Sequence, residues 1–311
     1  MDRDFEAVSF LGLCDLPGVG FETLKKVSRA RLKFSSFFDP AATIRTEKNA
    51  SFGRISDALK SPKSVEFSLN EGRRKLEYLR KKGIHLIFQG EDGFPNRLSD
   101  LQDPPLWIFV EGSIAALQEP AVAAIGSRKV SADGKWLATY FGYCLSELKV
   151  VTVSGLAEGV DQIIHRASLA AGLPTVAVLG TGILLNYPRD SEGLRKDIVN
   201  GGGAIVTEYL PNDSFSARNF VRRNRIQAAL GHIVFPVEWG VKSGTAHTVK
   251  FASDLGRPLL YARTPMQPEL NWIPAALLKN STRLCLPRDH DKFMATLRNG
   301  LVLEAAQKSL F

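Results

Sequence analysis

Beyond residue 120 the chain alternates short, predominantly apolar runs with longer amphipathic ones. The apolar runs fall at 121–125, 150–153, 175–179, 204–207, 233–237 and 258–262. Runs of this length and evenness are those of strands buried on both faces. Between them, 133–148, 161–171 and 191–200 carry helical spacing, as crossovers between parallel strands require. The pattern predicts an α/β fold, a doubly wound and mostly parallel Rossmann-like sheet of roughly six strands.

The first 110 residues read differently. Short helical stretches break at Pro17-Gly18, Asp39-Pro40 and Ser61-Pro62, where glycine and proline interrupt the helical pattern. Asn70–Lys82 predicts an amphipathic helix with Leu76 and Leu79 turned inward. A strand at Ile84–Phe88 and an apolar run at Leu106–Val110 follow. The expected organisation is a helical N-terminal domain over 1–110, a Rossmann-like domain over 111–298, and a tail over 299–311 holding at most a short helix.

Composition narrows the class of partner. Net charge is +8 and the calculated pI about 9.4, which leans toward a polyanion. Four arginines crowd between Arg218 and Arg225. Cys14, Cys144 and Cys285 are far apart and odd in number, so neither a disulfide frame nor a metal site is expected, and no cofactor is implied. The first residues lack a basic-then-apolar leader, and no apolar run reaches membrane-spanning length. The cytoplasm is the expected compartment.

Candidate chemistry sits where the strands end. The run 121–125 empties into Gly126-Ser127-Arg128, and the run 150–153 into a turn containing Gly155, Gly159 and Asp161. Small residues at the carboxyl end of buried strands leave room for a ligand. Ser127 and nearby amides can surround an anion, and Arg128 can grip phosphate bidentately. Alternatively, Arg128 pairs with Asp161. Asp161 and His165 lie at i and i+4 on one helical face and could form an acid–base pair, but no nucleophile accompanies them. The expected role is structural, Asp161 capping the helix and His165 tying it to a neighbouring loop.

Gly180 and Gly182 follow the next strand, with Tyr187 and Arg189 beyond. Phe220, Arg222, Arg223, Asn224 and Arg225 crowd charge beside an aromatic ring, ahead of a helix expected to begin near Ile226. A single-stranded polyanion with stacking bases would suit them. Lys242, Ser243, Gly244 and Thr245 bring another glycine turn and a cation to the same edge. Leu16-Pro17-Gly18-Val19-Gly20 has the form of a helix-hairpin-helix turn, either a phosphate contact or a tight interhelical bend. Walker A and dinucleotide spacings are absent.

Taken in order, these segments resemble the DprA/Smf family of DNA-processing proteins. The resemblance runs through Phe94–Leu98, Asp103–Leu106, Gly126-Ser127-Arg128 with Ser131 and Gly134, and Ser154–His165. It continues through Leu179–Pro188, Glu208-Tyr209, Arg222–Ile226, Glu238 with Lys242–Thr245, Gly256-Arg257 and Leu270–Ile273. Family patterns differ at Ser191, Val221, Trp239, Thr245-Ala246 and Thr264-Pro265. Many members also carry a C-terminal winged helix, for which too few residues follow Arg298.

The resemblance implies a sterile-alpha-motif-like N-terminal domain and an extended Rossmann-like domain that binds single-stranded DNA, forms a homodimer, and loads RecA recombinase in recombination and natural transformation. It implies no catalysis. Arg128, Arg189, Arg222, Arg223 and Arg225 carry over as DNA contacts. Two alternatives keep the fold: a regulatory or antitoxin-like member of a phage-defence pair with a co-encoded partner, and a phosphoribohydrolase-like nucleotide enzyme.

Overall fold

The strand that opens the parallel part of the sheet, β3 (Ala121–Ile125), is buried along its whole length. Its alanines let layers approach closely from both sides. From β3 the chain builds outward in one direction through β4 (Val151–Ser154), β5 (Thr175–Val178) and β6 (Ala204–Thr207). It then returns to the other side of β3 with β7 (Ile233–Pro236), β8 (Leu259–Arg263) and β9 (Ser281–Cys285). The structure, a computed structural model, describes residues 3–40 and 50–308.

The direction of winding therefore reverses between β3 and β7. Strand ends diverge at such a reversal, and the loops leaving β3 and β7 open a crevice there. Helices cover both faces. On one, α8 (Ala217–Leu230) and α9 (Gly244–Asp254) pack Ile226, Ala229, Val249 and Ala252 against Ala123, Ile125 and Val234. On the other, α5 (Ala132–Leu145), α6 (Val160–Ala170) and α10 (His290–Lys308) pack against Val122, Ala124 and Phe235. The doubly wound Rossmann-like expectation holds.

Three strands lie outside the expected six. β9 begins with three polar residues, Ser281, Thr282 and Arg283, and burial rises only toward Leu284 and Cys285, so it gives no apolar run. β1 (Ile84–Phe88) and β2 (Trp107–Gly112) join the same sheet antiparallel, β2 pairing with β6. A boundary at 110/111 thus falls inside β2. α10 runs through 299 without a break. These positions are continuous structure because hydrogen-bond ladders and helix packing cross them.

The N-terminal helices sit on this antiparallel edge. α1 (Arg3–Leu13) lies against α4 (Pro62–Lys81), which starts earlier than Asn70 because Ser61 caps it, accepting from the Ser64 amide at 3.1 Å with Pro62 in the first turn. Phe10 packs against Phe34, Phe88 and Trp107, with ring centroids 4.9–5.5 Å apart. The same apolar cluster reaches Ala177 and Ile205 in the parallel strands. α2 (Phe21–Arg29) begins directly after the Leu16–Gly20 turn, where Gly18 takes φ +75°.

Candidate nucleic-acid interface

A cavity of about 270 Å³ occupies the crevice at the winding reversal. Its walls come from three places: the β3–α5 loop (Gly126, Ser127, Arg128), one face of α8 (Phe220, Arg223, Asn224, Gln227), and the start of α9 (Ser243, Gly244, Thr245, Thr248). The loops are tied across the reversal, the Ser127 amide donating to the Glu238 carbonyl at 2.8 Å. Behind them the Val160 amide donates to the Ser127 carbonyl at 3.1 Å. Gly159 makes this approach possible. It holds φ +86°, and a Cβ there would press on the Ser127 and Arg128 carbonyls.

The Ser127 hydroxyl does not face a ligand as the sequence suggested. It donates to the Lys129 carbonyl at 2.6 Å and accepts from the Lys129 amide at 3.1 Å. Its work is to fold its own turn and present Arg128. At the opposite wall, Ser243 stands at the N-cap of α9 without a side-chain cap bond, its hydroxyl accepting instead from the Gly240 amide at 3.3 Å. The Ala246 amide donates to the Ser243 carbonyl at 3.1 Å, and the Gly244 and Thr245 amides before it stand at the positive end of the helix dipole without a side-chain cap.

α8 begins at Ala217, nine residues ahead of the expected start, because Ser216 accepts from the Asn219 amide at 3.0 Å and caps it. This early start splits the arginine cluster by helical phase. Phe220, Arg223, Asn224 and Gln227 are spaced i, i+3, i+4, i+7 and share the pocket face. Arg222 and Arg225, three apart, face away toward the N-terminal helices.

Those two arginines are engaged internally. Arg225 forms a two-pronged pair with Glu208, at 2.6 and 2.7 Å, with both side chains buried. It also donates to the Asp103 carbonyl at 2.8 Å. Arg222 reaches Glu22 at 3.0 Å and Asp103 at 3.3 Å, and lies over the Phe21 ring. Asp103 gathers Lys25 and Arg29 as well. Arg222 and Arg225 thus dock the helical domain against α8, a correction to their expected role as DNA contacts.

Arg223 and Arg128 remain at the pocket. Arg223 is buried, and it donates to the Gly155 carbonyl at 2.9 Å and to the Val178 carbonyl. Burial pulls its guanidinium down to about 10, with Asp161 opposing, so it stays charged at neutral pH. Arg128 is exposed and, among the described residues, forms no ion pair. Its guanidinium stands 5.4 Å from the Phe220 ring centre, and that of Arg223 stands 6.0 Å away. Two cations flanking one aromatic ring leave positive charge without a carboxylate bonded to it.

Asp161 lies at the base of the pocket in the first turn of α6. Burial raises its carboxyl, while Arg223 and the Ala157 and Gly155 amides pull the other way. Its neighbour His165 is fully buried, its Nδ1 2.7 Å from the Thr175 hydroxyl on β5. The tie is to a strand rather than to a loop. Burial pulls the His165 imidazole down to about 3, so the ring is neutral at ordinary pH.

An aromatic shelf borders the pocket. Tyr187 stacks on Phe215 with centroids 4.5 Å apart and lies 5.3 Å from Phe220. Phe215 is 54% exposed. Arg189 is exposed just beyond Tyr187, outside the pocket wall. Gly180 supports the shelf from below, since a Cβ there would come within 2.5 Å of Phe220. Gly155 adjoins Arg223 and Asp161. Gly182 is buried under the Leu210–Pro211 backbone and Lys242 is exposed just ahead of α9, so neither lines the cavity.

Phe215, Gln227 and Thr248 escaped the sequence reading. Gln227 would have followed from the i+7 spacing had the Ser216 cap been recognised; Phe215 carried no motif.

The chain matches the family model for DNA recombination-mediator protein A over residues 85–297. It belongs to that family. Protein Smf of Escherichia coli (strain K12) is 32% identical over 239 residues, covering 77% of this chain and 62% of that protein. DNA processing protein DprA of Streptococcus pneumoniae is 35% identical over 191 residues, covering 61% and 66%. The chain thus spans under two thirds of the length of these curated relatives. Two solved structures share its fold at 24% identity. DprA from S. pneumoniae has a TM-score of 0.64 and covers 93% of this chain and 96% of that one. DprA from Helicobacter pylori, described for its single-stranded DNA binding mode, has a TM-score of 0.59 and covers 70% and 97%.

Proposed function

We propose that this recombination-mediator family member binds single-stranded DNA in the crevice between β3 and β7 and delivers it to a RecA-type recombinase in the cytoplasm, working as a homodimer. One observation carries the reading: Arg128 and Arg223, both beside the Phe220 ring, line one cavity with the start of α9, which has no side-chain cap. A backbone phosphate fits between the guanidinium groups and the helix amides. Adjacent bases stack on Phe220, Tyr187 and Phe215, which only an unpaired strand can offer. Arg189 extends the cationic rim. The H. pylori structure that shares this fold is described for single-stranded DNA binding, which supports the reading.

Binding without catalysis is the preferred reading. His165 and Asp161 could pass for an acid–base pair, yet His165 bonds Thr175 and Asp161 receives backbone amides, which supports a structural role for both.

Fluorescence anisotropy with labelled single- and double-stranded oligonucleotides of equal length tests the proposal. Single strands should bind more tightly at every salt concentration. Equal affinity for both forms would rule out a stacking groove. Adding RecA then tests delivery: faster filament growth on coated strands is expected, and an unchanged rate would remove the recombinase from the reading.

A further inference from the structure

A second recess, of about 200 Å³, lies at the carboxyl ends of β7 and β8 beside the main pocket. Trp239, Tyr261 and Trp272 frame it, with Leu270 and Ile273 beneath. Tyr261 is buried and fixed by donating its hydroxyl to the Leu277 carbonyl at 3.1 Å. It backs Trp239 with the ring planes 23° apart and centroids 5.8 Å apart. Trp272 stands edge-on to Trp239 at 5.0 Å and is 42% exposed. Three aromatic rings around an open slot form a platform for another flat ring.

The charges at the recess say what kind of ring. Arg263 is occupied by Glu269 and by the Thr264 and Gln267 carbonyls. Glu238 uses Oε2 to accept from the Ser131 amide and hydroxyl at 3.0 and 3.2 Å, and among the described residues its Oε1 has no hydrogen-bond donor. The recess therefore presents a carboxylate acceptor and no unpaired cation. A phosphate would be repelled, whereas the amino edge of a base would find a partner. The recess is tied to the main pocket by one hydrogen bond, since Glu238, which lines the recess, accepts on its carbonyl from the amide of Ser127, which lines the pocket, at 2.8 Å.

We propose that the Trp239–Trp272 recess takes one nucleobase of the same strand whose phosphates sit between Arg128 and α9, stacked on the tryptophans with Glu238 accepting from its amino edge. The inference rests on the strand-binding reading above and adds a base-holding subsite to it.

The test compares an intact adenine-containing oligonucleotide with one of equal length whose bases are all removed, in a Trp136→Phe background so that Trp239 and Trp272 dominate the accessible fluorescence. The intact strand should quench that fluorescence. Trp272→Ala, an exposed change, should weaken intact-strand binding about five-fold or more while matching the parent on the abasic strand. No quenching, or an equal change on both strands, would overturn the subsite. Quenching by free deoxyadenosine monophosphate at the same base concentration would also overturn it, in favour of a free-nucleotide site. Arg128→Ala runs in parallel: if it leaves affinity intact, the main pocket has failed, whereas its loss with unaffected Trp272→Ala binding removes the recess alone.

Discussion

Arg225→Ala separates the structural arginines from the binding ones. Arg225 and Glu208 are 5% and 2% exposed at the side chain and share two hydrogen bonds of 2.6 and 2.7 Å. Truncating Arg225 leaves a buried carboxylate whose nearest remaining cation, the Arg222 Nε, is 3.6 Å away. Removing one partner of such a pair costs about 3–5 kcal/mol. At roughly 2 cal/mol/K of unfolding entropy per residue over 311 residues, the melting temperature should fall by about 5–8 °C. Calorimetry reads the loss, and strand affinity measured well below the transition should stay within about two-fold of wild type, since an interaction worth less than ~0.4 kcal/mol is all that could be missing. Replacing both partners, Arg225→Met with Glu208→Leu, should restore most of the stability, because neither leaves a buried charge. An Arg225→Ala protein that melts normally but binds DNA poorly would show that this arginine belongs to the interface after all.

Three further outcomes follow from the geometry. His165 has a folded pKa of about 3 against an ordinary 6.5, so the unfolded chain takes its proton first and stability should fall as pH drops from about 6.5 toward 3, by at most about 1.4 kcal/mol per pH unit. His165→Gln should flatten that slope in urea titrations between pH 6.5 and 4.5, where the raised Asp161 carboxyl acts with the opposite sign; an unchanged slope would mean the imidazole is not shielded. Gly180→Ala should displace Phe220 and reduce strand affinity several-fold with no change in net charge, measurable by anisotropy, and wild-type affinity would separate the shelf from binding. Phe215→Ala, at an exposed position, should cost about 1–3 kcal/mol of strand binding with little change in melting temperature.

Much of the fold is legible in the apolar runs, and the reasons for the misses are physical. The runs at 121–125 and 204–207 coincide with β3 and β6 because these strands are covered on both faces, and Thr207 at the end of β6 is the one polar position between them. β9 is hidden because Ser281, Thr282 and Arg283 lie at a half-exposed edge. The site was legible in location but not in orientation. That strand ends carry the ligand loops follows from an open parallel sheet; which of Arg222, Arg223 and Arg225 looks into the crevice depends on where α8 starts. Ser216 sets that phase, and Phe215 and Ser214 ahead of it gave no apolar repeat to reveal it. The acceptors that retain Arg222 and Arg225 lie far away in sequence, at Glu22, Asp103 and Glu208, and only the tertiary fold brings them together.

The most direct measurement is the salt dependence of single-strand affinity for the parent protein and for Arg128→Ala. Each phosphate neutralised contributes about −0.7 to the slope of log K against log salt. With Arg128 on a phosphate beside α9, the variant should bind more weakly at low salt and its slope should be shallower by about 0.7. Superimposable lines for the two proteins would contradict a strand seated in the β3–β7 crevice.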